Sequence, residues 1–137
     1  MRSPGSRPSR PKRSAEMALA ALLLAAPAEA ADAARGQALL ANRQASLCVL
    51  CHAIPGAAAH LQGDLGPDLR GVGGRMTSSE IRQRLLDPAQ ANPDTIMPAY
   101  GPRDGLIRVG RQWQDRPILP EAAIEDIVAY LATLKDE

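Results

Sequence analysis

Five consecutive residues, Cys48-Val49-Leu50-Cys51-His52, contain both cysteines of the chain and one of its two histidines. The spacing C-x-x-C-H is that of covalent haem attachment, because thiols three positions apart reach the two vinyl groups on one haem edge. The adjacent imidazole is then available as an axial ligand of the iron. The motif therefore predicts one haem c, bonded through thioethers to Cys48 and Cys51, with His52 as an iron ligand.

Three other uses of two cysteines fit this spacing less well. A zinc site needs four ligands. The set Cys48, Cys51, His52 and His60 does not form the usual two separated pairs, because His52 directly follows Cys51. A thioredoxin-like dithiol needs a βαβ setting, whereas the neighbouring sequence is typical of helix and loop. A disulfide that closes so short a loop would stabilise the fold little. Haem attachment is the interpretation that the spacing favours.

A second iron ligand is predicted in the segment Asn92-Pro93-Asp94-Thr95-Ile96-Met97-Pro98. The two prolines around Met97 favour an extended segment, which presents the thioether instead of burying it in a helix. The chain from His52 to Met97 is long enough to pass around a haem and reach its other face. Met76 lies just before a predicted helix, and His60 is too near His52 to cross the haem easily. We therefore predict His52 and Met97 as the axial pair of a low-spin iron.

A glycine-rich run from residue 63 to residue 75 is predicted to form a loop against the haem. A metal-bound histidine usually donates its second ring nitrogen to a carbonyl, and the segment Gly66-Pro67 is the candidate for supplying it. Arg75 is a candidate partner for a haem propionate, with a solvated arginine as the equal alternative. The run is not a phosphate loop, because it lacks the G-K-[ST] ending and a preceding strand.

Three helices are predicted around these residues. Residues 33–45 are rich in helix formers, and Gly36 shares a face with two leucines. Residues 77–80, Thr-Ser-Ser-Glu, are a capping box that begins a helix ending before Pro88. Residues 121–134 carry an apolar stripe that needs the first helix as a partner. The members of this stripe are Ile124, Ile127, Val128, Leu131 and Leu134.

A connector over residues 101–120 joins the last two helices and carries Trp113 with four arginines, namely Arg103, Arg108, Arg111 and Arg116. Connectors of this length are usually functional. Grouped arginines with a tryptophan fit a protein interface or a propionate contact, and a merely solvated loop fits equally well.

Aromatic side chains are nearly absent, since the chain has no Phe, one Trp and two Tyr. A small domain without them has little apolar bulk for its core. A buried haem would supply that bulk, so the composition and the C-x-x-C-H motif support the same interpretation.

The first 30 residues are predicted to be a signal peptide that is cleaved after Ala30. A basic stretch is followed by an apolar run over residues 17–26 and by the A-x-A site of residues 28–30. A basic tail that binds nucleic acid or membrane is the alternative. Removing the segment takes away five Lys/Arg and two Asp/Glu, which changes the net charge from +1 to −2. We therefore expect a periplasmic protein that binds neither nucleic acid nor membrane.

The order of these features resembles the class I cytochrome c family over essentially all of residues 31–137. The resembling features are a helix leading into C-x-x-C-H, a Gly-Pro loop, a Met-Pro segment and a final helix with A-Y-L-x-x-L. The resemblance implies an all-α cytochrome c domain in which the N- and C-terminal helices cross around a haem-centred core. It also implies the Pro67 carbonyl as the partner of His52, and Gly36 as the place where Tyr130 crosses the first helix.

Three runs, residues 62–73, 92–100 and 117–134, are similar to the SoxX family of small mono-haem cytochromes in bacterial sulfur oxidation. That resemblance implies a non-catalytic electron-transfer subunit paired with a SoxA-like cytochrome, which joins thiosulfate to a cysteine of a carrier protein. A soluble cytochrome would accept the electrons. The alternatives are a free class I cytochrome c serving another oxidoreductase and, from a different class, a haem sensor or peroxidase with five-coordinate iron.

Overall fold

The computed structural model describes residues 30–101, 104, 110, 111, 114 and 116–135. Within these ranges the only regular secondary structure is helix, with no strand, which confirms the all-α prediction. The four α-helices are α1 (Ala33–Ala41), α2 (Val72–Arg75), α3 (Ser78–Leu86) and α4 (Glu121–Thr133). Single 3₁₀ turns are formed by Cys48–Leu50, Ala59–Leu61 and Pro88–Gln90. The helices of the described ranges are too short or too polar to cross a lipid bilayer.

Helices α1 and α4 cross with their backbones in direct contact. Gly36 is buried, and a Cβ atom added to it would collide with the carbonyl oxygen of Asp126. The apolar stripe of α4 faces this crossing, and Ile127 is fully buried. The predicted pairing of first and last helices is therefore confirmed. The crossing lies at Asp126 and Ile127, one turn before Tyr130, whose hydroxyl donates to the carbonyl of Pro55 at 3.4 Å.

Helix α1 is four residues shorter than the predicted helix over residues 33–45. Its end is set by Asn42, whose side-chain oxygen accepts hydrogen bonds from the backbone N–H groups of Gln44 and Ala45, at 3.0 and 3.1 Å. Such side-chain bonds offer the backbone an alternative to helical pairing. The first cysteine therefore follows a turn rather than the end of the helix.

The glycine-rich run is not a loop throughout, because its last residues form α2. Gly71 adopts a left-handed conformation, with φ of 65°, and begins this helix. The N–H of Gly73 donates to the carbonyl of Leu134 at 2.8 Å, and a Cβ on Gly73 would crowd the backbone at Ala132. The close contact with the end of α4 compensates for the weak helix propensity of two glycines.

Helix α3 begins and ends as its sequence predicts. The side chains of Thr77 and Glu80 each bond the other's backbone N–H, which completes the capping box. The helix ends at Asp87, before proline, and buries Ile81 and Leu85 in the core. Its exposed face is joined to α4 by an ion pair from Arg82 to Glu121 at 2.8 Å.

The core that these helices enclose is mainly aliphatic. Tyr100 and Tyr130 are its two aromatic members among the described residues, and the others are Leu, Ile and Val side chains with Cys48. The connector prediction is only partly covered by the structure. Arg111 and Arg116 are exposed, whereas Arg103, Arg108 and Trp113 lie outside the described residues, as do residues 1–29 of the predicted signal peptide.

A charged contact fastens the start of α1 to α4. The buried carboxylate of Asp126 accepts hydrogen bonds from the Asp32 N–H at 2.6 Å and from Arg35 Nε at 2.8 Å. These bonds, that of Arg35 first, hold the pKa of Asp126 below its usual range. Asp32 also caps α1 by accepting from the N–H groups of Ala34 and Arg35. One carboxylate thus joins the N-terminus of the first helix to the middle of the last.

Replacement of this carboxylate gives a pH-dependent loss of stability. A carboxyl with a lowered pKa in the folded state stabilises the fold above its unfolded pKa of about 4, and this stabilisation is lost as the pH falls through the folded pKa. Asp126→Asn should therefore lower the free energy of unfolding most at neutral pH, with the difference from wild type closing in acid. Denaturant unfolding at several pH values measures it. The exposed Asp64, changed to Asn, is the control, and a difference independent of pH would contradict the assignment.

Candidate functional site

The two cysteines and the adjacent histidine lie on one tight turn. The N–H groups of Cys51 and His52 both donate to the carbonyl of Cys48, at 3.1 and 3.0 Å. The turn is entered through Leu47, which has a left-handed backbone with φ of 64°, a strained conformation for a bulky side chain. Cys48 is buried, Cys51 is half-buried, and both are free thiols. The turn therefore groups three of the predicted site residues.

The hydrogen bond between His52 and Pro67 fixes which ring nitrogen is free to bind a metal. Nδ1 of His52 lies 2.6 Å from the Pro67 carbonyl oxygen. Because a carbonyl can only accept, Nδ1 must carry the proton, which leaves the lone pair of Nε2 available for the iron. Gly66 borders the ring so closely that a Cβ there would collide with the imidazole. Glycine is thus needed beside the histidine.

The loop that carries Pro67 is held against the cysteine turn by backbone bonds. The N–H of Gly63 donates to the carbonyl of Val49 at 2.9 Å, and that of Gly66 donates to Cys51 at 2.7 Å. A Cβ at Gly63 would collide with the carbonyl of Leu50. The sequence predicts Gly63 in this loop but no role for it, although a glycine three residues before the Gly-Pro pair is a signal.

Gln62 is a further residue that the sequence analysis missed. Its side-chain oxygen accepts from the Ile54 N–H at 2.8 Å, and its nitrogen donates to the Ala57 carbonyl at 2.6 Å. The side-chain amide of Gln62 thus stabilises the loop that follows the cysteine turn. A lone glutamine gives no pattern from which this contact could be predicted.

The segment with Met97 lies against the core with its sulfur-bearing side chain half-buried. The backbone N–H of Met97 donates to the hydroxyl of Thr95 at 3.1 Å, and that of Tyr100 donates to Leu85 of α3 at 3.0 Å. The neighbouring Ile96 is 77% exposed. The segment turns at Pro93 and Asp94, bends at Met97 and is anchored at its C-terminal end through Tyr100.

Tyr100 brings the methionine segment to the first cysteine. Its hydroxyl donates to the carbonyl of Ser46 at 2.6 Å and lies 3.8 Å from the sulfur of Cys48. Burial raises the pKa of Tyr100 and that of the Cys48 thiol, so both groups stay protonated in this environment. No role for Tyr100 is predicted from the sequence, although a tyrosine just after Met-Pro in so aromatic-poor a chain is a signal.

The other candidate residues either lie away from the cysteine turn and the methionine segment or bond to backbone carbonyls. Arg75 donates to the carbonyls of Arg70 at 2.7 Å and Asp68 at 3.2 Å, and its pairing with a propionate stays a prediction. Met76 packs on the edge of the core, and His60 is exposed on a 3₁₀ turn. Within the described ranges, no three His, Cys, Asp or Glu side chains group closely enough to hold a metal ion.

The residues present have the chemistry that a covalently bound haem needs. Two free thiols share one turn with an imidazole whose tautomer is set by a carbonyl. A thioether is offered by a separate segment that is fastened beside the first of these thiols. This donor set of two bonding sulfurs, one nitrogen and one ligating sulfur fits haem c.

Comparison with known proteins agrees with this chemistry. The family model described as cytochrome c matches residues 33–135. Among solved structures, a chain in the crystal structure of SoxXA from P. pantotrophus is similar, with a TM-score of 0.70 and 29% sequence identity. The match covers 80% of this chain and 85% of that chain. No curated protein sequence gives a significant match.

Gly66→Ala tests the fit of the imidazole against its loop. The added methyl group would displace the ring of His52 and break its bond to Pro67. Because such outer contacts are worth about 10- to 100-fold in metal affinity, we expect roughly tenfold less haem-bound protein. The yield of covalently bound haem per polypeptide measures this loss. Gly74→Ala, which crowds the backbone of Lys135 instead, is the control; wild-type yield from Gly66→Ala would contradict the expectation.

Proposed function

This chain belongs to the cytochrome c family, and we propose that it is the electron-transfer subunit of a thiosulfate-oxidising complex in the bacterial periplasm. The family makes it an electron-transfer protein with covalently bound haem c. One observation carries the finer proposal, namely the similarity over most of its length to a chain of the SoxXA structure. The proposed partner is accordingly a SoxA-like cytochrome in a heterodimer.

We propose the following roles for the site residues, supported by the shared cysteine turn and by the bond between His52 and Pro67. Cys48 and Cys51 would form the two thioether bonds, and His52 and Met97 would ligate the iron. Haem c supplies a one-electron couple between ferric and ferrous iron. The thioether of Met97 favours the reduced state, and the aliphatic core disfavours the extra charge of the oxidised state, so both raise the reduction potential. The Pro67 carbonyl keeps the imidazole of His52 oriented throughout.

With His52 and Met97 both bound, the iron would have no position open to peroxide, oxygen or similar small molecules, which a sensor or peroxidase must admit. The chain therefore does not catalyse the sulfur chemistry itself. Its part is to accept electrons that the partner releases and to pass them to a soluble cytochrome.

The electron balance sets how often the chain must act. When thiosulfate is joined to a cysteine thiol, one S–S bond forms, and two electrons and one proton are released. A chain with one attachment motif accepts these electrons singly. Each turnover of the complex therefore needs two electron transfers to the soluble acceptor.

The proposed location rests on the N-terminal segment. A signal peptide over residues 1–30 would leave a domain from residue 31 to residue 137, with Asp32 as the cap of its first helix. Cysteines that attach haem in an oxidising compartment must be kept reduced until they react, because neighbouring thiols there tend to pair. A haem-attachment system in the same compartment is thus part of the proposal.

Met97→Ala tests the axial ligand. Sulfur bound to ferric iron gives a weak absorption band at the red end of the visible spectrum, and we expect the variant to lose it completely. Its reduction potential should fall as well, because the thioether favours the ferrous state. Met76→Ala is the matched control and should keep the band. A band that persists in Met97→Ala, or disappears in Met76→Ala, would contradict the ligand assignment.

Purification from the native host tests the proposed function as a whole. We expect the protein to co-purify with a second, larger cytochrome, and thiosulfate with its carrier protein to reduce the bound haem. The optical spectrum of the complex measures the reduction. A monomer that thiosulfate does not reduce would favour a free carrier for another oxidoreductase, and rapid cyanide binding to the wild type would favour the sensor or peroxidase.

A further inference from the structure

The methionine segment and the cysteine turn meet at one buried hydrogen bond. Tyr100 is only 3% exposed, and its hydroxyl donates to the Ser46 carbonyl at 2.6 Å. The two residues are 54 positions apart in sequence. This bond therefore closes a long loop of chain that contains Met97.

Ser46 is itself a fixed point of the fold. It is fully buried, and its hydroxyl donates to the carbonyl of Leu39 in α1 at 2.8 Å. The backbone N–H of Cys48 approaches the same hydroxyl oxygen at 3.4 Å. Ser46 thus connects the first helix, the first cysteine and, through Tyr100, the methionine segment.

The chain before Met97 is fastened less closely to it, through Asn92, five residues earlier. Residues 91–94 are all exposed, and the side chain of Ile96 is 77% exposed. The N–H group of Asn92 donates to the carbonyl of Pro88 at 3.1 Å, whereas those of Asp94, Thr95 and Met97 donate within the segment. On the other side, Tyr100 supplies both a backbone bond to α3 and a side-chain bond to Ser46. The bonds of Tyr100 are therefore the nearest described hydrogen bonds to Met97 that join its segment to another part of the fold.

We propose that Tyr100 is the positioning residue of the axial methionine, holding Met97 in place through the buried bond from its hydroxyl to the Ser46 carbonyl. This inference rests on the proposed role of Met97 as an iron ligand. Tyr100 is not itself a ligand. Its hydroxyl restricts how far the methionine segment departs from the cysteine turn, and so favours the methionine-bound state over the state open to an external ligand.

A purely structural role for Tyr100 makes a different prediction. A core residue supports the whole fold, so its loss lowers global stability without changing the competition between Met97 and an external ligand for the iron. A positioning residue changes that competition under conditions where the fold is intact. The readout must therefore be the apparent affinity for an external ligand, because that affinity is scaled by the fraction of protein in the open state.

Imidazole titration of the ferric, haem-loaded Tyr100→Phe protein tests the proposal. The substitution keeps the ring and removes one hydrogen bond, which contributes about 1 kcal/mol, so we expect imidazole to bind about fivefold more tightly than to wild type. Tyr130→Phe is the matched control, because it removes a hydroxyl bonded to Pro55 at 3.4 Å. It should leave the imidazole affinity within about twofold of wild type. Helical circular dichroism in guanidinium defines conditions in which both variants are folded.

A second measurement needs no variant. In the ferrous wild-type protein, the buried Tyr100 hydroxyl proton should exchange slowly enough with water to give its own NMR resonance, bonded to the Ser46 carbonyl. Absence of that resonance would overturn the proposal, as would wild-type imidazole affinity in Tyr100→Phe or an equal increase in Tyr130→Phe. If these Tyr100 results are negative while Met97→Ala still loses the red band, Met97 remains the assigned ligand and only the positioning role of Tyr100 is wrong. If the wild type itself lacks that band, both the ligand assignment and the role of Tyr100 are wrong.

Discussion

The site depends on one backbone constraint, the close fit between the cysteine turn and the loop that follows it. Two glycines allow this fit, because a side chain at Gly63 or Gly66 would collide with the turn or with the imidazole. Their N–H groups bond the turn, and the next carbonyl, that of Pro67, bonds His52. The same contact therefore sets the distance between the two segments, the tautomer of the histidine and the direction of its free nitrogen.

The helices provide the frame on which this contact is built. Helices α1 and α4 cross at Gly36, and the buried carboxylate of Asp126 fastens their crossing through Arg35 and the backbone of Asp32. Short aliphatic side chains then fill the remaining core. A frame of this kind is rigid where the backbones touch. The residues of the site lie on the connections between these helices, which is the usual arrangement of binding residues on a scaffold.

Features with a recognisable sequence pattern could be predicted, and most contacts without such a pattern could not. The capping box at Thr77 and the apolar stripe of α4 depend on local spacing, and both were correct. The early end of α1 was missed because the Asn42 side chain competes with the helix, which composition alone does not reveal. Helix α2 contains two glycines and forms against the end of α4, and the Tyr100 contact joins residues far apart in sequence. No periodic pattern records such contacts.

The left-handed backbone of Leu47 places strain at the entrance to the cysteine turn. A leucine in this conformation costs about 1–2 kcal/mol, so the turn is stable only when the surrounding structure holds it. The preceding residue, Ser46, is fully buried and bonded to Leu39 of α1. The turn therefore takes its shape from the helix packed beside it rather than from the conformational preference of its own residues.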